Sequence, residues 1–211
     1  MKEVFPSNLK VIVTGAPCSG TMNTARALFK EGVNAWHETF LYEIETGTWF
    51  AAPAERTLKE NGGTLKEVEV DVNYALAKAL EHLPKTFPAA VVHLVRNPLQ
   101  VLNSYLSICL RHTDFVSIDA VARDLWDLND LVCRSPRLCF RHRVEEGVEV
   151  LLEKLVSRTE VSRFEHSRTL VPEEAPRNFH NQGRCNFSWE DLRNYEWPEK
   201  LREQYVEYGY Q

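Results

Sequence analysis

Two short apolar runs, Leu9–Thr14 and Ala89–Val95, each break off in a turn and lead into a helical pattern. This constrains the chain more than any other feature. Runs of this length, rich in valine, are the pattern of strands buried on both faces, as in parallel sheets. The first, LKVIVT, is broken by Gly15-Ala16-Pro17-Cys18-Ser19-Gly20-Thr21. Asn23 to Glu31 then carries Ala25, Leu28 and Phe29 on one helical face and stops at Gly32, a C′ residue. A strand, a glycine loop and a helix together aim backbone N–H groups and the positive end of a helix at an anion. The first expectation is therefore a cradle for phosphate or sulfate.

The remaining pattern alternates in the same way. Lys66–Val72 reads as a strand and Asn73–Leu83 as a helix closed by Pro84. Asn97-Pro98 is a helix start, with Asn as N-cap and Pro at the first helical position. The helix continues through Val101, Leu102, Tyr105, Leu106 and Cys109, and further helices are expected over Asp119–Val132 and Val144–Val156. Thr159–Phe164 reads as a last strand, Glu38–Gly63 as a helix fragment with loops, and Pro172–Asn186 as a polar loop. Ser188-x-x-Asp191 has the form of a capping box, and the Tyr205–Tyr210 tail that of a helix closing on an apolar patch. The expected fold is α/β, a mostly parallel central sheet flanked by helices, in one domain of 211 residues.

Composition narrows the function classes. A net charge of −5 argues against non-specific nucleic-acid binding, which needs excess Lys and Arg. No apolar run approaches the roughly 20 residues of a membrane span, and the first residues lack a signal-peptide core. Five cysteines (18, 109, 133, 139, 185) form no C-x-x-C pair and read as reduced thiols rather than a disulfide framework or zinc site. A cytoplasmic setting, with no nucleic-acid partner, no membrane span and no metal, is expected. Oligomeric state leaves no signature.

The glycine loop has the G-x-x-x-x-G spacing of a nucleotide-kinase P-loop between Gly15 and Gly20. However, Thr21 and Met22 stand where that motif needs Lys and Ser/Thr. ATP phosphoryl transfer would lose its main charge clamp. A small-molecule or nucleotide kinase is the weaker alternative. The second apolar run ends in Arg96-Asn97-Pro98, with Ser104 about two turns into the next helix. An Arg at a strand end and a hydroxyl on the following helix can grip one phosphate from two sides, and the planar Arg fork suits its oxygens.

Ser19-Gly20-Thr21 together with the LVRNPLQVLNS of residues 94–104 resembles the sulfotransferases that use 3′-phosphoadenosine 5′-phosphosulfate (PAPS). The resemblance covers residues 9–38 and 89–106, and extends loosely to Trp189–Leu192 and Tyr208–Tyr210. It implies a P-loop-like three-layer sulfotransferase fold and transfer of a sulfuryl group from PAPS to a hydroxyl or amine of a small-molecule or carbohydrate acceptor. Gly15, Cys18, Ser19, Gly20, Thr21 and Met22 would then hold the phosphosulfate. Arg96 and Ser104 would hold the 3′-phosphate, with Arg184, beside Gly183, in a late loop over the nucleotide. Glu38 would be the base that takes the acceptor's proton, with His37 orienting it or serving as the base itself.

One position departs from the family. Lys or Arg usually precedes Ser-Gly-Thr, and here it is Cys18. A substitute cation from Arg26, Arg111, Arg184 or the Arg134–Arg143 cluster (Arg134, Arg137, Arg141, Arg143, with His142), a heavier load on backbone amides and helix dipole, or an impaired, nucleotide-binding scaffold are the alternatives. A reactive Cys18 thiolate at a helix N-terminus is a further, weaker one. The basic cluster otherwise reads as a solvated loop between two helices. Trp36, Phe40, Tyr42, Trp49 and Phe50 could line an acceptor site, although aromatics are more often core.

Overall fold

The computed structural model describes residues 3–52, 64–113, 115–163 and 185–211. Among these, β1 (Val11–Thr14), β2 (Ala35–His37), β5 (Val70–Val72), β6 (Ala90–Val95) and β7 (Leu138–Arg143) form one sheet in the order β2-β5-β1-β6-β7. Every neighbouring pair in it is parallel. β3 (Phe40–Glu43) and β4 (Thr48–Ala51) pair separately as an antiparallel hairpin. The helices are α1 (Thr21–Lys30), α2 (Pro98–His112), α3 (Ile118–Arg134), α4 (Val148–Arg158), α5 (Trp189–Leu192) and α6 (Glu196–Glu207). The chain is thus α/β, with a five-stranded parallel sheet flanked by helices.

The period of two along each strand decides which layer a residue joins. Val11, Val13, Val70, Val72, Val92, Leu94 and Phe140 point to one face and pack with Ala25 and Leu28 of α1 and Leu151, Leu152 and Leu155 of α4. Ile12 and Val91 point to the other face, where they meet Leu128 and Val132 of α3 and the Leu76–Leu83 segment. Beyond them α2, α3 and α6 share Val101, Leu102, Leu106, Leu125, Leu201 and Tyr205. Valine-rich β1 and β6 are covered on both sides, as their composition demands.

β1 lies in the middle, and the chain crosses from the β2–β5 side to the β6–β7 side between β1 and β6. In open α/β sheets such a switch point leaves a crevice at the carboxyl ends of the strands. Both sequence motifs sit there.

Several expectations are corrected. The segment after Glu38 forms the β3–β4 hairpin, with Trp49 packed edge-on to Tyr42 and tilted against Phe87, the ring centres 5.0 Å apart in each pair. Its strands are four residues long, too short for a period to show. Phe40 and Trp49 are buried, so these aromatics are core. The basic run is not a loop: Leu138–Arg143 is β7, with alternate arginines engaged by partners. Asn73 caps a 3-10 turn over Tyr74–Ala79 where an α-helix was expected, although Leu76, Ala79, Leu80 and Leu83 are buried. Val144–Glu146 is a separate 3-10 turn ahead of α4. Residues 159–163 form no strand, and Phe164 lies outside the described residues.

Candidate functional site

The loop after β1 is shaped by two glycines. A Cβ on Gly15 would stand 2.1 Å from the Leu94 carbonyl oxygen, so only glycine lets the loop lie against β6. Gly20 has φ 93° and serves as N-cap of α1 without a side-chain cap, leaving the first N–H groups of the helix to other acceptors. Cys18 also has positive φ, 66°. Ser19 is fully buried, its Oγ has no hydrogen-bond partner, and it lies 3.5 Å from where a Gly15 Cβ would be. A buried hydroxyl without a partner is costly, and here it sits inside the curve of the loop. Thr21 is buried, while Met22 is partly exposed beside it.

Arg96 leaves the end of β6 directly across the crevice. Its Nη1 approaches the Cys18 carbonyl at 3.5 Å, and its Nε donates to Gln100 Oε1 at 3.1 Å. Ser104 follows Gln100 by one helical step of four, so the two share one side of α2, and Gln100 accepts from Arg96. Asn97 caps α2 as expected, accepting from the Leu99 and Gln100 amides at 3.1 and 3.2 Å. The Asn97 amide itself donates to Glu145 Oε1 at 2.8 Å, and Glu145 Oε2 accepts from Tyr210 Oη at 2.7 Å. No local pattern could reveal that tie, because its members come from three distant stretches.

Burial pushes the Cys18 thiol up to about 11, with Cys109 adding to it and Arg96 opposing. A thiol so raised stays protonated near pH 7, which weighs against the reactive-thiolate alternative. Of the candidate cations, Arg134 is paired with Asp130 at 2.7 Å and Arg137 donates to the Phe87 and Pro84 carbonyls near the start of β6. Neither is at the crevice end. Arg141 is engaged inside the fold: its Nε donates to His93 Nδ1 at 3.3 Å, its Nη2 reaches the Cys133 sulfur at 3.1 Å, and its guanidinium lies 3.7 Å over the Tyr208 ring. Arg143 holds Glu146 and the Gly209 carbonyl. Arg26 is the guanidinium that acts on His37. Arg184 lies outside the described residues.

His37 ends β2 and reaches back to the loop. Its Nε2 is 3.0 Å from Thr21 Oγ1 and 3.3 Å from Glu38 Oε1. Burial, with a further push from Arg26, takes the His37 pKa down to about 4, so the ring is neutral and its contact with Glu38 is not an ion pair. Burial also raises the Glu38 carboxyl above its ordinary value, which makes the carboxylate a better proton acceptor. Glu38 has φ 49°, an uncommon conformation for a residue with a side chain. Tyr74 is partly exposed, and its phenol is raised by burial, with the Glu38 charge adding to it.

Sequence reasoning missed Asp71, Asn73, Tyr74, Gln100, Glu145 and Tyr210. The one available signal was the polar pair in VEVDVNYA, an Asp in a valine strand followed by an Asx cap. No protein-family model matches the chain, and no curated protein matches it either. No helix among the described residues is long and apolar enough to cross a membrane.

Proposed function

We propose that the chain is a PAPS-dependent sulfotransferase acting on a hydroxyl or amine of a small-molecule or carbohydrate acceptor. The observation that carries this is the buried, unpartnered Ser19 hydroxyl inside a loop that opens on the uncapped N-terminus of α1, with Arg96 across the β1/β6 crevice. Such a place favours an anion through backbone donors, a hydroxyl and the helix dipole together. Nucleotides bind at the switch point of open parallel α/β sheets, and the loop and Arg96 lie at that point here, which supports the finer fold reading.

The residues fit the nucleotide. Gly15, Cys18, Ser19, Gly20, Thr21 and Met22 would surround the phosphosulfate, chiefly through backbone amides and the Ser19 and Thr21 hydroxyls. Arg96 and Ser104 would hold the 3′-phosphate. Bound there, PAPS supplies an activated sulfuryl group whose leaving oxygen belongs to a stable phosphate. The chain's own residues do the rest. Glu38 takes the proton from the acceptor O–H or N–H as its oxygen or nitrogen attacks. Neutral His37 ties Glu38 to Thr21 and so to the loop, which keeps base and donor in register for an in-line displacement. With a thiol at Cys18, charge at the leaving oxygen falls to the loop amides and the helix dipole. Thr21 in the Walker Lys position disfavours the kinase reading.

Calorimetry with adenosine 3′,5′-bisphosphate in the absence of metal tests the site. Binding is expected, and Arg96→Ala should weaken it by about 1.5–3 kcal/mol, the scale of a hydrogen bond to a charged group. Unchanged affinity in that variant sinks the assignment, and tighter binding of ATP–magnesium would favour the kinase. Cys18 also supports a second reading, a nucleotide-binding protein without transferase activity. Binding of the bisphosphate with no sulfate transfer to a broad acceptor panel would favour it.

A further inference from the structure

The proposed mechanism makes no use of the one carboxylate among the described residues that is buried completely, inside the sheet. Asp71 sits between Val70 and Val72 on β5, an interior strand, with no exposed surface. Burial lifts its pKa to about 6 against the pull of its hydrogen bonds. Among the described residues no Lys, Arg or His is its partner. The carboxylate is spent on the chain just after Glu38: the Thr39 amide donates to Oδ1 at 2.8 Å and the Phe40 amide to Oδ2 at 3.2 Å. Asn73, also fully buried, donates from Nδ2 to Asp71 Oδ2 at 3.0 Å and to the Phe40 carbonyl at 2.7 Å. The Glu38 amide in turn donates to the Val72 carbonyl at 3.2 Å. Three successive amides, those of Glu38, Thr39 and Phe40, are therefore held by β5.

Glu38 is where this hold is needed. With φ 49° it occupies the left-handed region, which costs a residue with a side chain on the order of 1–2 kcal/mol. Such strain persists only where the surroundings over-determine it. Here the clamp turns the chain sharply from β2 into the hairpin and leaves the Glu38 carboxylate beside His37 and the loop.

We propose that Asp71, assisted by Asn73, is a positioning residue that holds the Glu38 carboxylate in its strained, reactive orientation. The inference rests on the sulfotransferase reading, in which Glu38 is the base. It is tested with the full chain as Asp71→Asn, Glu38→Gln and the double variant, measuring turnover with PAPS on an acceptor panel and affinity for adenosine 3′,5′-bisphosphate. Asn keeps one acceptor oxygen but sets an NH₂ against a backbone donor. The expected result is a fall in kcat of at least about tenfold with bisphosphate affinity nearly unchanged, and a double variant no slower than Glu38→Gln alone. Wild-type turnover in Asp71→Asn, with Glu38→Gln impaired, overturns the positioning role and leaves the base in place. Wild-type turnover in Glu38→Gln, or no transfer by the unaltered chain, removes both. Should Asp71→Asn fail to fold, Asn73→Ser decides: the same fall in kcat with bisphosphate affinity nearly unchanged is expected, and wild-type turnover in it refutes the clamp.

Discussion

His93 shows how a residue with no part in the proposed chemistry can govern stability. It is fully buried on β6, accepting from Arg141 at Nδ1 and lying 3.1 Å from Asn129 Oδ1 at Nε2. That fixes its tautomer with the proton on Nε2. Asn129 passes the chain on to Gln204, which donates to the Trp126 carbonyl. Burial pushes the His93 pKa down to about 3, with Arg141 adding to the push and Asn129 opposing it. Below about pH 6.5 the unfolded chain takes up a proton that folded His93 refuses, so stability is lost as the pH falls from there toward 3, by roughly 1.4 kcal/mol per unit at most. His37 and His142 act in the same direction, whereas Asp71, raised to about 6, releases its penalty as the pH falls toward its unfolded value. His93→Gln keeps an amide donor for Asn129 and cannot titrate. Its urea-unfolding free energy should therefore fall less steeply with acid than that of the parent, and equal slopes would contradict this account. Gly15→Ala probes the other critical residue: with its Cβ 2.1 Å from the Leu94 carbonyl, β1 and β6 must spread. We expect a loss of about 1–3 kcal/mol in denaturant unfolding, in the range of overpacked sites.

At the scale of elements, the parts legible in the sequence were those whose signals are local. Asn97-Pro98 announced the start of α2, and the Ser188–Asp191 capping box is formed, the Asp191 amide donating to Ser188 Oγ at 3.3 Å and the Ser188 amide to Asp191 Oδ2 at 2.8 Å. Asn97→Ala should cost about 1 kcal/mol in thermal unfolding, as for loss of an N-cap. β1 and β6 were legible because burial on both faces leaves an unbroken valine run. β7 was not, because Arg141 finds partners on β6, α3 and the tail and Arg143 on the tail, which no neighbouring residue foretells. The same holds for the site. Ser19, Thr21 and Arg96 could be found from spacing, whereas the Asp71 clamp and the Glu145–Tyr210 tie join stretches 31 to 65 residues apart. Tyr210→Phe removes the donor to Glu145 and should lower stability by about 1 kcal/mol, read by the same melt.

For the molecule as a whole, the two faces of the sheet share β1 and β6, so the two helical layers are joined through the same strands. Ile12 and Val91 serve one layer while Val11, Val13 and Val92 serve the other, residue by residue along the same strands. Loss of either layer strips half the burial from the strands that support the second. Heat unfolding should accordingly be one transition, with near- and far-ultraviolet circular dichroism coinciding. A separate early loss of the near-ultraviolet signal would show that the layers melt independently.

The contact between Gly15 and the Leu94 carbonyl has a consequence for kinetics. The loop is keyed to β6 and Arg96 leaves that same strand, so the two sides of the crevice form one rigid frame. An anion settling there finds its donors already aimed and has little ordering to impose on them. Its capture should then behave as a single encounter, with an observed rate that climbs in proportion to ligand concentration and shows no plateau from a slow rearrangement.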